Sequence, residues 1–157
     1  MKTRNVTTAL VFIPLMVISL MTISCASTSK ASEEKSTDAK QFETHPEKGV
    51  VYVYRPGRAV GAAAQSQIKI NGLDAGGTGP GTFFRWELTP GTYTFSAFTT
   101  ESSAVIEVDV KANEHYFIRQ DERMGLSAGR VTMVIQDEAT GMAGINKCKL
   151  LVSTYRQ

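Results

Sequence analysis

Two cysteines and two histidines are all that the 157-residue chain holds of the side chains that most often bind metals or pair as disulfides. Two thiols cannot build a disulfide framework. Two histidines without a cysteine cluster leave a zinc or copper site short of ligands. The acidic pairs Asp121-Glu122 and Asp137-Glu138 do not resemble a calcium loop, so no metal or cofactor is expected. An excess of one charge is also missing. Seventeen Lys and Arg face fifteen Asp and Glu, and Lys2 and Arg4 fall in a segment that reads as removable, which leaves fifteen against fifteen. Nucleic-acid binding needs a concentrated basic face, so that class is excluded. A membrane span of about 20 apolar residues is missing too. The mostly apolar run Ala9 to Ile23 has fifteen residues and is interrupted by Pro14. The length excludes a complete (β/α)8 barrel.

What is present begins with a leader. Lys2 and Arg4 form a basic n-region, and Ala9 to Ile23 suits the h-region of a secretory signal. The run ends in Thr22-Ile23-Ser24-Cys25, which resembles the lipobox of bacterial lipoproteins, although Thr22 stands where Leu is usual. The resemblance implies a signal peptide over residues 1–24 and acylation of Cys25. Three acyl chains would hold the protein on a membrane essentially permanently, whereas one binds only marginally. By the same family rule, Ala26 directs the protein to the outer membrane of a Gram-negative cell. The competing reading is an ordinary signal peptide and a secreted soluble binding or inhibitor module without lipid. Residues 25–47 are small, polar and charged apart from Phe42. They read as a lipid-bearing cysteine and a disordered tether, with about 25 Å of random-coil reach. His45 reads as solvated.

Residues 48–157 carry seven strand candidates: Val50 to Arg55, QSQIKI, TFFRWEL, TYTFSAFTT, AVIEVDV, HYFIRQ and RVTMVIQD. Asn71-Gly72 is a strong hairpin signal, and Thr89-Pro90-Gly91 a second turn. Alternation puts Phe84, Trp86 and Leu88 on one face of a strand, with Arg85 on the other. The pattern predicts an all-β, antiparallel, immunoglobulin-like sandwich of about seven strands. It allows a short C-terminal helical turn around Glu138 to Lys147, which Gly141 and Gly144 weaken. Tyr52, Tyr54, Phe83, Phe98 and Tyr155 do not all fit the core by alternation, which leaves two readings for the surplus: an exposed apolar contact patch or the leftover edges of a small sandwich.

The order VYVYRP, IKING, a Gly-rich loop, FFRWELTPGTYTFSA, YFIRQ and KCKL resembles a family of small bacterial envelope lipoproteins known as a domain of unknown function. ING…G…ELTPGTYTFSA is also similar to PEGA-type envelope domains, which are β-sandwiches. The resemblance implies an envelope lipoprotein and brings no catalytic or ligand residues.

One catalytic motif matches literally. Gly125-Leu-Ser127-Ala-Gly129 fits G-x-S-x-G, but RQDERM precedes it instead of an apolar strand, and no histidine follows Ser127. A small serine hydrolase using Ser127 is therefore the alternative, and no enzyme the main expectation. Gly76 to Gly81 lacks the G-K-[ST] ending of a phosphate cradle and reads as a turn. Cys148 reads as buried. Arg55 and Arg58 in RPGRAVGAAAQ, and Arg123 and Arg130 in DERMGLSAGR, are the candidate contacts with an anionic partner, because guanidinium pairs bidentately with carboxylate and phosphate. Peptidoglycan peptides, lipid head groups or another envelope protein would supply such groups. The overall expectation is a lipid-anchored outer-membrane protein with a non-enzymatic interaction or structural module.

Overall fold

All seven residues of β1 (Gly49–Arg55), GVVYVYR, are buried. A strand covered on one face alternates apolar with polar, whereas one covered on both reads as an unbroken apolar run. β1 therefore needs a layer on each side. The structure, a computed structural model, describes residues 28–57, 65–126 and 129–157, and it supplies both layers.

Further strands are β2 (Ser66–Ile70), β3 (Leu73–Thr78), β4 (Thr82–Leu88), β5 (Gly91–Phe98), β6 (Ser103–Val110), β7 (His115–Met124), β8 (Gly129–Gln136) and β9 (Lys149–Leu150). The helices are α1 (Glu33–Ala39) and α2 (Glu138–Ile145). One sheet runs β8-β7-β1-β4-β9 and the other β3-β2-β5-β6. The chain is thus an all-β sandwich with a C-terminal helix. The four-stranded sheet is antiparallel throughout, as expected. The five-stranded sheet is mixed, because β1 runs parallel to β7 and β4 parallel to β9. Asn71 and Gly72 take φ of 50° and 81°, the positive values that a two-residue hairpin needs. Gly76 and Gly77, expected in a turn, instead lie inside β3.

Between the sheets lies a core built from Val51, Val53, Ile68, Phe84, Trp86 and Phe95 among others. Trp86 stacks on Phe84 with ring centroids 5.1 Å apart and donates its indole N–H to Ser153 Oγ at 2.9 Å. A second core covers the outer face of the five-stranded sheet, where Tyr52, Tyr54, Phe83 and Phe117 meet Ala39 and Ile145 from the helices. These aromatics are not an exposed patch. They appear surplus only while one sheet face is assumed to be wet. Phe98 is 36% exposed, and Tyr155 is half-buried against the inter-sheet core.

The tether expectation is overturned from Thr28 onward. Ser32 caps α1 by accepting from the Lys35 N–H, Ser36 and Ala39 are buried, and Tyr52 donates to Ala39 O at 3.1 Å. Phe42 completes this face, 5.6 Å from the Tyr52 ring and 6.1 Å from Phe117. The buried positions are spaced by three, and two of them are small, so composition alone reads as solvated. His45 is also tied in, its carbonyl accepting from Lys48 and Asn113. The glycines of α2 serve close packing. A Cβ at Gly141 would stand 2.3 Å from Phe117 Cγ, and one at Gly144 would stand 2.3 Å from Tyr54 Cε2.

Both long edges of the sandwich are closed. On one side β6 and β8 meet. On the other, Ala31 N donates to Leu150 O at 2.9 Å and Val152 N to Ser29 O at 2.8 Å. There Ser153 Oγ and Thr154 N both donate to Ala75 O on β3. Edge strands with unpaired backbone invite aggregation, and here the two ends of the described chain cover the side formed by β3 and β9.

Candidate functional site

The core-facing row of β7 reads Tyr116, Ile118, Gln120, Glu122, apolar at one end and polar at the other. The polar end meets the end of β1. Arg55 and Glu122 form a two-pronged ion pair, Nη1 to Oε1 and Nη2 to Oε2, both at 2.8 Å, with 3% and 1% of their side chains exposed. The second sheet completes the cluster. Ser66 donates its hydroxyl to Glu122 Oε1, and Thr78 donates to Gln120 Oε1 at 2.7 Å. Burial pulls the Arg55 pKa down from its ordinary value, and the Glu122 charge opposes that shift. Among the described residues Gln120 Nε2 finds no hydrogen-bond partner. This cluster bolts the sheets together at one end and offers no open face to a partner.

Arg55 is therefore not a surface contact. Both sheets close over the end of β1, and its guanidinium is consumed by Glu122. Arg58, Ser127 and Cys25 lie outside the described residues. Arg123 and Arg130 are exposed and stand directly opposite each other across the β7–β8 ladder. Arg130 Nε bonds Glu101 Oε1 at 3.1 Å, and the same carboxylate oxygen accepts from the Leu126 N–H at 3.0 Å. Beside them Met124 is 81% and Leu126 94% exposed. The hairpin thus presents two guanidinium groups and two apolar side chains to solvent. Sequence reasoning found the arginines and missed Gln120, Glu122, Ser66 and Thr78. The available signal was the alternation of β7 itself, which carries the inward register of Ile118 on to Gln120 and Glu122.

A cleft of about 720 Å³ opens between α2 and the end of β1, with Tyr54 and Gly144 along it and Arg119, Thr140 and Lys147 as its polar groups. Arg119 is held by Asp121 in a pair with Nε to Oδ2 at 2.8 Å. Burial pushes the Tyr54 phenol above its ordinary pKa. Behind the cleft Cys148 is buried and free. Its Sγ lies 3.4 Å from Gly144 O, and burial raises the thiol to about 11. A thiol so placed is a packing group, since the thiolate is the reactive form. Among the described residues no cluster of His, Cys, Asp and Glu could hold a metal ion.

With this geometry in hand, comparison adds a family. Residues 45–133 match a family described as "Protein of unknown function (DUF2846)". The chain belongs to the DUF2846 family. It is also similar to an uncharacterized protein of Haemophilus influenzae, 30% identical over 117 residues, which are 73% of this chain and 68% of the relative. The DUF2846 segment runs from β1 into β8. It contains the whole Arg55–Glu122 cluster and the arginine hairpin. The parts that cover the outer face and close the β9 edge, α1, α2 and the C-terminal tail, lie beyond it.

Proposed function

We propose that this DUF2846 protein is an outer-membrane lipoprotein anchored through Cys25, and that its sandwich is a non-enzymatic interaction module of the cell envelope. The β7–β8 hairpin is its recognition element. The observation that carries this reading is the opposition of Arg123 and Arg130 beside exposed Met124 and Leu126. Like charges opposed across a ladder are destabilising. Glu101 offsets Arg130, while Arg123 makes no side-chain hydrogen bond or ion pair among the described residues. An incoming carboxylate or phosphate, in peptidoglycan peptides, lipid head groups or another envelope protein, would relieve that repulsion.

Geometry also supports the non-enzymatic part. His115 begins β7 and Met124 ends it, a separation of about 30 Å at roughly 3.3 Å per residue. Ser127 follows Met124 by three residues, so His115 cannot serve it as a base. No helix among the described residues is long and apolar enough to cross a membrane.

Two measurements test the proposal. Cys25→Ala should release the protein from membranes or stall its processing. In protein freed of its acyl chains, Arg123→Ala combined with Arg130→Ala should weaken co-sedimentation with purified sacculi or anionic vesicles at low salt, where exposed charges are least screened. A lipid-free wild-type protein that sediments with neither would remove the recognition reading.

A further inference from the structure

Thr28 is pinned to the domain surface. Its Oγ1 accepts from the Gly77 N–H at 2.6 Å, and the chain then pairs with the C-terminal tail through Ser29 and Ala31. Thr28 follows Cys25 by three residues. Three trans peptide units span at most about 11 Å, against the 25 Å or so of a 22-residue coil. The head-group layer of one leaflet is itself roughly 5 to 8 Å deep. A domain attached at Thr28 to a lipid-bearing Cys25 has almost no slack above the head groups.

We propose that the sandwich lies directly against the bilayer, on the edge where Thr28 to Ala31 meet the C-terminal tail, with the lipid head-group surface as occupant. The proposal rests on the lipidation reading of Cys25. The edge suits that contact. A groove of about 600 Å³ beside Thr28 is lined by Gly76, Val152, Thr154 and Arg156. Leu73 is 60% and Val152 48% exposed. Lys30 and Arg156 are exposed cations there, and the nearby Asp74 carboxylate lies 3.7 Å from Lys69 Nζ. The consequence is an orientation. The order β8-β7-β1-β4-β9 places β8 about 19 Å from the membrane-side β9, at roughly 4.8 Å per strand. The arginine hairpin at the start of β8 then points away from the leaflet that holds the lipid, which among the anionic groups named above leaves peptidoglycan peptides or another envelope protein and removes the head groups of that leaflet.

The test uses the full lipidated chain in phosphatidylethanolamine–phosphatidylglycerol vesicles containing a lipid spin-labelled at its head group. A fluorophore is attached through Val152→Cys in one sample and Val134→Cys, on β8, in another. Cys148 is buried and does not compete for label. Quenching should be several-fold stronger at position 152 than at 134. A 20-residue Gly/Ser insert between Ser27 and Thr28 should bring position 152 down to the level of 134. Equal quenching at both positions, or no effect of the insert, overturns the docked orientation. The mass of the N-terminal peptide separates the two ideas. Without acyl chains the anchoring reading and this one fall together, and with acyl chains but equal quenching the docking alone falls.

Discussion

Arg55 and Glu122 meet because β1 and β7 run parallel, so both strands deliver their last inward-facing side chain to the same end of the sandwich. A buried pair of this kind is costly to break, since the survivor is left as an uncompensated charge. Arg55→Met should lower stability by about 3 to 5 kcal/mol, against a total of roughly 5 to 15 kcal/mol for an ordinary domain. Adding Glu122→Gln should restore part of the loss, because no charge remains inside and the amide oxygen still accepts from Ser66. Urea unfolding midpoints of the single and double variants check this. A double variant less stable than Arg55→Met alone would contradict it.

Gly141 and Gly144 should resist improvement. Replacing a helical glycine with alanine ordinarily gains about 1 kcal/mol. Here the new Cβ meets Phe117 near its backbone and the Tyr54 ring, both fully packed. Gly141→Ala and Gly144→Ala should each cost about 1 to 3 kcal/mol net. Thermal unfolding of either variant above wild type would show that α2 lifts off its sheet freely.

Neighbouring residues on β4 should differ in degree. Trp86→Ala removes a side chain buried between the sheets and one hydrogen bond to Ser153, which keeps its bond to Ala75 O, so about 3 to 5 kcal/mol is expected. Arg85 faces the helical side and lies partly covered there, bonded to Tyr52 Oη at 3.3 Å and Glu87 at 2.8 Å. Arg85→Ala should therefore cost about 1 kcal/mol, where strand alternation alone suggests a neutral change. Chemical denaturation of the pair, measured together, decides both values.

Cys148 should be silent to thiol reagents in the native protein and reactive once unfolded. Burial raises its folded pKa to about 11, from roughly 8.5 in an unfolded chain. The protonated thiol is the form the fold favours. Its contribution to stability is whole below about pH 8.5 and is lost as pH rises through about 11. Disulfide-reagent kinetics with and without urea, followed by stability between pH 8 and 11, test both statements. Rapid labelling at neutral pH without denaturant would refute the buried-thiol assignment.

Local rules alone decided several features. Asn71-Gly72 makes a two-residue hairpin because both positions accept positive φ, and no distant contact is needed for that. Phe84, Trp86 and Leu88 share a face because strand side chains alternate. Tertiary structure decided the rest. The parallel pairing of β1 with β7 joins segments some 65 residues apart, and a period-2 pattern is the same in either direction. Whether Tyr52 and Phe83 are core or surface depends on α1 and α2 lying over the sheet, and helices that contact it through Ser36, Ala39, Gly141 and Gly144, with Ile145 the one large apolar side chain fully buried there, carry no broad apolar stripe to announce themselves. Arg55 shows the limit most clearly. Its charge and loop-side position signal solvent, and only Glu122, arriving from another strand, makes the interior the lower-energy place for it.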